Sequence, residues 1–257
     1  MTAPSAPQAN VVWLDDLDST AALAERLMGS WLEKEEEQLP ETLLVAGRQH
    51  AGRGRGENGW ASPPGGLYAN WLAWVPTREL AIVPIAVGVT LAAAVEALWP
   101  AATVGLKWPN DLVVEGGKLG GILCQSRGSG ELVWVSVGFG INLASDPVLA
   151  ADRDARAVSL RGLGWQGEAH KGIQALIDAF LRNVHPALAN PKGTRRQWVA
   201  RSIHRSGDPI RLRLADGVVE GRFAGFDRDC RLGLEMNGNV HYYSVGKVLF
   251  GGGSGGA

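Results

Sequence analysis

The sequence has few cysteines, almost no net charge and no long apolar run. Its 257 residues include two cysteines, Cys124 and Cys230, and neither belongs to a CxxC pair or to a Cys/His spacing typical of a zinc site. No run of about 18 apolar residues is available to span a bilayer. Because 25 Lys and Arg balance 26 Asp and Glu, no global field attracts nucleic acid or acidic membranes. We therefore expect a reduced, cytoplasmic protein without nucleic-acid or membrane partners.

Both ends of the chain have the composition of unstructured segments. Residues 1–10 lack the basic and apolar regions of a secretory signal and are predicted to be a disordered leader. Residues 251–257, GGGSGGA, predict a flexible tail. The five histidines have no paired carboxylate or cysteine spacing, so we expect them on the surface or in loops.

Strand and helix patterns alternate irregularly over the first 200 residues. Helices are predicted for the segment with Leu23, Leu27 and Trp31 at a spacing of four, for the proline-bounded residues 84–100, and for residues 168–188. Apolar runs predict strands at 11–14, 42–47, 67–75, 103–108, 112–115, 119–126 and 131–143. Because strict βαβ alternation is missing, the pattern favours an α+β fold, with a central mixed sheet and helices on one face.

The pattern changes near residue 206 to short β segments. Asp216-Gly217 and Asn237-Gly238 are dipeptides typical of tight hairpin turns. We therefore predict a large α+β domain at residues 11–205 and a small β-barrel at residues 206–250.

A loop rich in glycine and arginine follows the second predicted strand. Residues 47–60 read GRQHAGRGRGENGW, with Arg53 and Arg55 between glycines. Glycines let backbone N–H groups approach a ligand, and guanidinium groups suit carboxylate and phosphate oxygens. The loop therefore predicts an anion site. A solvated flexible loop, or an RNA-contacting segment, is an equally good interpretation of this stretch alone.

A second polar cluster lies in KWPNDLVVEGGKLGGIL, residues 107–123. Taken singly, Lys107, Asn110, Asp111 and Lys118 are more typical of turn residues than of a site. Two lysines, an Asp and an Asn near two arginines would nevertheless form a site able to neutralise a polyphosphate and hold Mg²⁺.

Together these motifs resemble the biotin protein ligases. DST at 18–20, QHAGRGR at 49–55 followed by Trp60, KWPND at 107–111, KLGGIL at 118–123 and GFGINL at 138–143 occur in the order of that family. The resemblance implies a class II aminoacyl-tRNA synthetase-like catalytic domain followed by an SH3-like barrel. It also implies activation of biotin by ATP and Mg²⁺ to biotinyl-5′-AMP, and transfer to a lysine of the biotin carboxyl carrier protein of acetyl-CoA carboxylase, by a monomer or homodimer.

The resemblance also implies roles for individual residues. Biotin binding is implied for Ser19, Thr20, Gln49, Gly52, Arg53, Lys118, Gly120, Gly138 and Gly140. ATP binding is implied for Arg55, Trp60, Lys107, Asn110 and Asn142. A catalytic role is implied for Arg53, Arg55, Lys118 and Asp111, and Asp111 is also the candidate to orient Mg²⁺.

The sequence departs from the family pattern at two places. Ala21 follows DST where Asn is usual, and Glu57 and Asn58 follow GRGR where a further arginine is common, which puts in doubt how tightly the loop orders around an adenylate. About ten residues precede the first predicted strand, so we expect no repressor role. The alternatives are a lipoate-protein ligase and a nucleic-acid-binding module that uses the arginine loop.

Overall fold

The computed structural model describes residues 9–32, 40–56, 58–145 and 156–249. Residues 1–8 of the predicted leader and the whole predicted tail lie outside these ranges. The central sheet contains β1 (Asn10–Leu17), β2 (Thr42–Gln49), β3 (Leu67–Pro76), β4 (Gly105–Lys107), β5 (Asp111–Val114), β6 (Gly117–Arg127) and β7 (Leu132–Ile141). The second sheet contains β8 (Pro209–Leu214), β9 (Gly217–Phe226), β10 (Leu232–Met236), β11 (Asn239–Tyr243) and β12 (Lys247–Leu249). The helices are α1 (Thr20–Leu32), α2 (Val83–Leu98), α3 (Ala169–Ala189) and α4 (Pro191–Arg201).

The central sheet is mixed, as predicted. Its strand order is β1-β2-β3-β7-β6-β5-β4, in which β1 and β2 run parallel and every other neighbouring pair is antiparallel. The crossover from β1 to β2 contains α1, as a parallel connection requires. The α+β fold class is therefore confirmed.

The helices pack on both faces of this sheet. On one face, α2 and α3 cover a large core in which Trp71 and Phe180 meet edge to face. On the other face, Ala24 and Met28 of α1 pack against Leu72 and Trp134. The expectation that the helices lie on one face is wrong for α1, because alternate residues of β3 and β7 are apolar on both sides and each side needs a cover.

Helix α4 was not among the predicted helices. It begins at Pro191, and the side chain of Asn190 caps it by accepting a hydrogen bond from the N–H of Gly193 at 3.1 Å. Trp198 is the large apolar residue that α4 buries, so its sequence lacks the repeating apolar spacing by which a helix is predicted. None of the helices in the described ranges has the length and apolar character needed to cross a membrane.

The second sheet is antiparallel throughout, in the order β11-β10-β9-β8-β12. Asn237 and Gly238 both have positive φ, 51° and 78°, as the predicted tight turn between β10 and β11 requires. This antiparallel sheet agrees with the small β-barrel expected at the end of the chain.

A histidine joins the two sheets. His204 is 7% exposed, and its Nε2 accepts a hydrogen bond from the N–H of Trp108 at 3.2 Å, while its ring packs near Phe223 and Phe226 of β9. Burial, and then the nearby charge of Lys107, lower the pKa of His204 to about 4. The expectation of surface histidines is wrong here, because a neutral imidazole is both an acceptor and an aromatic packing group.

Candidate functional site

A cleft of about 500 Å³ lies where the two sheets meet. Glycines of β6 and β7 form its floor, the arginine loop and the KWPND turn border it, and residues of β8 and β12 close one end. The predicted site residues that line it are Ser19, Thr20, Gln49, Arg53, Arg55, Trp60, Lys107, Asn110, Asp111, Lys118, Gly138, Gly140 and Asn142. Segments as distant in sequence as the start of α1 and the end of β7 are thus brought together.

Two predicted residues, Gly52 and Gly120, do not line the cleft. A Cβ on Gly52 would collide with the carbonyl oxygen of Trp60, and a Cβ on Gly120 would lie 2.7 Å from the carbonyl oxygen of Gly140. Both positions therefore need glycine for close backbone packing behind the site.

One end of the cleft holds a connected set of polar side chains. Thr20 begins α1, and its N–H and Oγ1 both donate to Oε1 of Gln49, at 2.7 and 3.1 Å. The Nε2 of Gln49 in turn donates to Oγ of Ser62 at 2.7 Å. Ser19 and Thr20 are buried, so this network fixes hydroxyl and amide groups in a site partly shielded from water.

The arginine loop folds back on itself as a small hairpin. The N–H of Trp60 donates to the carbonyl of Gly52, and the N–H of Gly54 donates to the carbonyl of Asn58, each at 2.7 Å. Arg53 pairs with Gly59 in this ladder. Glu57, where the sequence departs from the family pattern, lies outside the described residues. The bare backbone therefore allows a tight ribbon that borders the cleft.

Both arginines of this hairpin have protein partners. Nη1 of Arg53 lies 2.8 Å from Oε2 of Glu25, on α1, and this hydrogen bond is the main cause of a lowered pKa of Glu25. Nη1 of Arg55 donates to the carbonyl of Gly246, next to β12, at 2.9 Å. Burial lowers the pKa of Arg55, and the charge of Asp111 opposes that shift. Arg55 thereby links the hairpin to the second sheet.

An ion pair lies at the centre of the cleft. Nζ of Lys118, at the start of β6, is 2.7 Å from Oδ1 of Asp111, at the start of β5. The hairpin between these strands places the two charges side by side, and Nζ of Lys118 also lies 5.3 Å from the ring centre of Trp60. Since both side chains are mostly buried, the amine is held in one direction, towards the cleft.

The floor of the cleft depends on glycine. A Cβ on Gly140 would lie 2.5 Å from Nε1 of Trp60, so the indole rests directly on the backbone of β7. Asn110 is fixed by donating from Nδ2 to the carbonyl of Ile122 at 2.7 Å. Asn142 donates from Nδ2 to the carbonyl of Val158, but its Oδ1 is buried without a partner. A buried acceptor in that position favours a ligand that brings an N–H group.

Some residues of the cleft were not identified from the sequence. Arg213 of β8 and Lys247 of β12 line the cleft and lie directly opposite each other in the second sheet. Glu25 accepts a hydrogen bond from Arg53, and Ser62 accepts one from Gln49. No sequence signal could reveal the first pair, because their proximity depends on the register between two short strands.

The carboxylates do not form a metal cage. Within residues 9–32, 40–56, 58–145 and 156–249, no group of three or more His, Cys, Asp or Glu side chains is placed to hold a metal ion. Mg²⁺ is usually bound by one or two carboxylates together with substrate phosphates and water. Asp111, which lines the cleft, therefore fits as one ligand of a Mg²⁺ ion that arrives with a nucleotide.

The sequence and the fold of this chain are similar to those of known proteins. Residues 20–142 match the model of the biotin/lipoate A/B protein ligase family. A biotin–acetyl-CoA-carboxylase ligase of Paracoccus denitrificans is 33% identical over 225 residues, which are 81% of this chain and 90% of the relative. The corresponding ligase of Mycobacterium tuberculosis is 31% identical over 221 residues, 80% of this chain and 78% of the relative. The structure of a biotin protein ligase from Aquifex aeolicus in complex with biotin and ATP has a TM-score of 0.72 at 25% identity, over 93% of this chain and 97% of that one.

Proposed function

This chain belongs to the biotin protein ligases of the biotin/lipoate A/B protein ligase family, and we propose that it is an ATP-dependent enzyme that joins biotin to a lysine of an acceptor protein. The observation that carries the proposal is the pairing, in one cleft, of the Thr20–Gln49 polar network with the cations around Lys118. Biotin has a polar ureido ring at one end and a carboxylate at the other, so the cleft contains a partner for each of these groups.

The polar network serves the ureido ring. That ring presents one carbonyl acceptor and two N–H donors, and hydroxyl groups can act in either role. Ser19, Thr20 and Gln49 provide such groups on the rigid start of α1 and the end of β2. Because Gln49 is held from both sides, by Thr20 and Ser62, it does not need to be ordered when the ligand binds.

The cations serve the first chemical step. A carboxylate oxygen of biotin attacks the α-phosphorus of ATP, the bond from that phosphorus to the bridging oxygen breaks, and pyrophosphate leaves. Two anions must meet for this step, and Lys118, Arg53 and Arg55 offset their repulsion and stabilise the charge on the transferring phosphoryl group. Asp111 would help to hold a Mg²⁺ ion bound with the nucleotide, and that ion would supply further charge neutralisation at the phosphates.

The nucleotide occupies the end of the cleft towards the second sheet. Oδ1 of Asn142 is a buried acceptor that suits the exocyclic amine of adenine. Lys107, Arg213 and Lys247 bring further positive charge to the same cavity. Among the described residues that line it, Asp111 is the acidic one. This excess of cations suits a triphosphate better than a single carboxylate.

The second step transfers biotin to protein. The lysine amine of the acceptor attacks the acyl carbon of biotinyl-5′-AMP, the bond to the phosphate oxygen breaks, and AMP and a proton leave. An acyl phosphate anhydride is sensitive to water, so the described parts of the arginine hairpin, residues 53–56 and 58–61, which border the cleft, are suited to shield the intermediate. The names of the relatives, biotin–acetyl-CoA-carboxylase ligases, support the biotin carboxyl carrier protein of acetyl-CoA carboxylase as the acceptor. The two free cysteines, Cys124 and Cys230, support a reducing compartment such as the cytoplasm.

Mass spectrometry of the acceptor tests this proposal. The protein is incubated with the carrier domain, Mg-ATP and biotin, beside a parallel reaction with lipoate. We expect one biotin on one lysine with the wild type and with Lys171→Ala, a surface control, and none with Lys118→Ala. Transfer of lipoate alone would assign the chain to the lipoate branch of the family. Transfer of neither would reject the ligase function and favour the arginine loop as a nucleic-acid contact.

A further inference from the structure

A buried amide on β3, beside the cleft, has a donor atom without a partner in the described part of the chain. Asn70, on β3, is 1% exposed, and its Oδ1 accepts a hydrogen bond from Oγ of Ser136 at 3.0 Å. The amide Nδ2 of Asn70 is buried and makes no hydrogen bond. Leaving a buried donor unpaired costs the free energy of removing it from water, so such a group calls for an explanation.

The position of this donor relates it to the cleft. Asn70 lies directly opposite Gly138 of β7, and Gly138 lies directly opposite Leu123 of β6. Gly138 and Leu123 both line the cleft. A Cβ on Gly138 would lie 3.4 Å from Nδ2 of Asn70 and 3.8 Å from Cβ of Leu123. The space left by the missing side chain therefore connects the cleft to the unpaired N–H group.

A ligand atom in that space would complete the hydrogen bond. We propose that Asn70 donates this hydrogen bond to the ring sulfur of biotin and thereby selects for a heteroatom at that position. The inference rests on the proposed function. The ureido group is served by Thr20 and Gln49, and the carboxylate is served by Lys118, so the thioether is the polar atom of biotin that still needs a partner.

The geometry and the chemistry agree for sulfur. A thioether is a weak hydrogen-bond acceptor with a large radius, so N–H to S contacts are longer than those to oxygen. Because Gly138 has no side chain, a ligand atom that packs against its backbone has no protein side-chain atom of Gly138 between it and Nδ2 of Asn70. The apolar side chain of Leu123 lies directly opposite Gly138 on β6, and Asn70 itself is 1% exposed, so an acceptor at this position meets little competition from water.

Binding measurements on the wild-type protein provide the first test. Isothermal calorimetry compares biotin with carbabiotin, in which a methylene replaces sulfur, and with oxybiotin, in which an ether oxygen replaces it. We expect carbabiotin to bind about three- to tenfold more weakly than biotin, as for the loss of one neutral hydrogen bond, and oxybiotin to bind better than carbabiotin. Equal affinities for biotin and carbabiotin would overturn the inference.

A pair of variants assigns the preference to Asn70. Asn70→Leu combined with Ser136→Ala removes both polar partners while keeping the shape, so the protein is left without a new unpaired group. The ratio of carbabiotin to biotin dissociation constants should fall to about one in this variant and persist in Ser136→Ala alone, which keeps the Asn70 donor. A ratio unchanged in the double variant, or lost in Ser136→Ala, would reject the assignment.

The wild-type comparison decides the question even if the double variant does not fold. It also separates this inference from the proposed function. A protein that binds biotin and transfers it but does not distinguish carbabiotin retains the function and loses the Asn70 contact. A protein that binds no biotin loses both.

Discussion

The two sheets contribute to the cleft in different ways. The central sheet and the start of α1 supply side chains that are largely buried, such as the pairs Lys118–Asp111 and Thr20–Gln49. The second sheet supplies Arg213 and Lys247, two cations directly opposite each other on neighbouring strands. Like charges in directly opposite positions destabilise a sheet. The buried pairs are held in place before the substrate arrives, whereas an anion that lies between the exposed Arg213 and Lys247 offsets their mutual repulsion.

This difference separates catalysis from nucleotide affinity. Preorganised charges lower the barrier of the chemical step, because they need no reorganisation when charge develops on the transferring group. Exposed cations that act on the distal phosphates mainly change binding of the nucleotide. Variants of the central sheet should therefore affect the rate of adenylation, and variants of the second sheet should affect the concentration of ATP that is required.

The largest effect is expected at the centre of the cleft. Lys118→Met keeps most of the length and apolar packing of the side chain but removes its charge. We expect the rate of biotinyl-5′-AMP formation to fall by about 10²- to 10³-fold, the usual effect of deleting one preorganised charge-stabilising group. Single-turnover release of pyrophosphate measures this rate. Lys171→Met, which removes a surface pair with Glu168, serves as the control. A fall of less than about tenfold would place the chemistry on other cations.

A smaller effect is expected where the sheets join. His204 has a folded-state pKa of about 4, whereas an unfolded histidine titrates near 6.5. Between these values the unfolded chain binds a proton that the folded chain does not, so stability is full above about pH 6.5 and falls as the pH drops towards 4. The shift corresponds to about 3 kcal/mol over that window.

The variant His204→Gln tests this linkage. Glutamine keeps an acceptor for the N–H of Trp108 and does not titrate. We expect the free energy of unfolding, from urea titrations at pH 4 to 7, to depend less on pH in His204→Gln than in the wild type. His241→Gln, a change at an exposed residue of β11, should retain the wild-type dependence. Identical pH profiles for wild type and His204→Gln would show that another group controls the acid limit.

The cations of the second sheet should have a smaller effect, and it should appear in the KM for ATP and not in the rate of adenylation. For Arg213→Gln combined with Lys247→Gln, we expect the KM for ATP to rise about tenfold, because the distal phosphates lose charge-assisted partners. Transfer from supplied biotinyl-5′-AMP, which has no such phosphates, should keep its wild-type rate. Arg211→Gln provides a matched control, since Arg211 lies on the same strand but does not line the cleft. An unchanged KM for ATP would remove the second sheet from nucleotide binding.

The sequence predicted the central sheet better than it predicted the site's supporting residues. The motif residues Lys118, Asp111 and Thr20 were identified because the motifs that contain them resemble those of the biotin protein ligases. The contacts of Arg55 with Gly246 and of Trp108 with His204 join segments that are 191 and 96 residues apart. Such partners depend on how the second sheet docks, and no local pattern encodes that. Helix α4 was not predicted for a related reason. It is stabilised by tertiary packing of Trp198 and has no apolar stripe in its sequence.

The smallest effect is expected at the edge of the cleft, where Glu25 holds Arg53 through an exposed pair at 2.8 Å. Exposed ion pairs contribute at most about 1 kcal/mol, so Arg53 can change partners when an anion binds. Glu25→Gln should strengthen binding of biotinyl-5′-AMP by about two- to threefold, because the guanidinium no longer leaves a carboxylate to reach the ligand. Glu220→Gln breaks the pair with Arg211, also at 2.8 Å, away from the cleft and should leave affinity unchanged. If calorimetry instead shows weaker binding in Glu25→Gln, Glu25 orients Arg53 for the ligand, and the cleft is preorganised even at its edge.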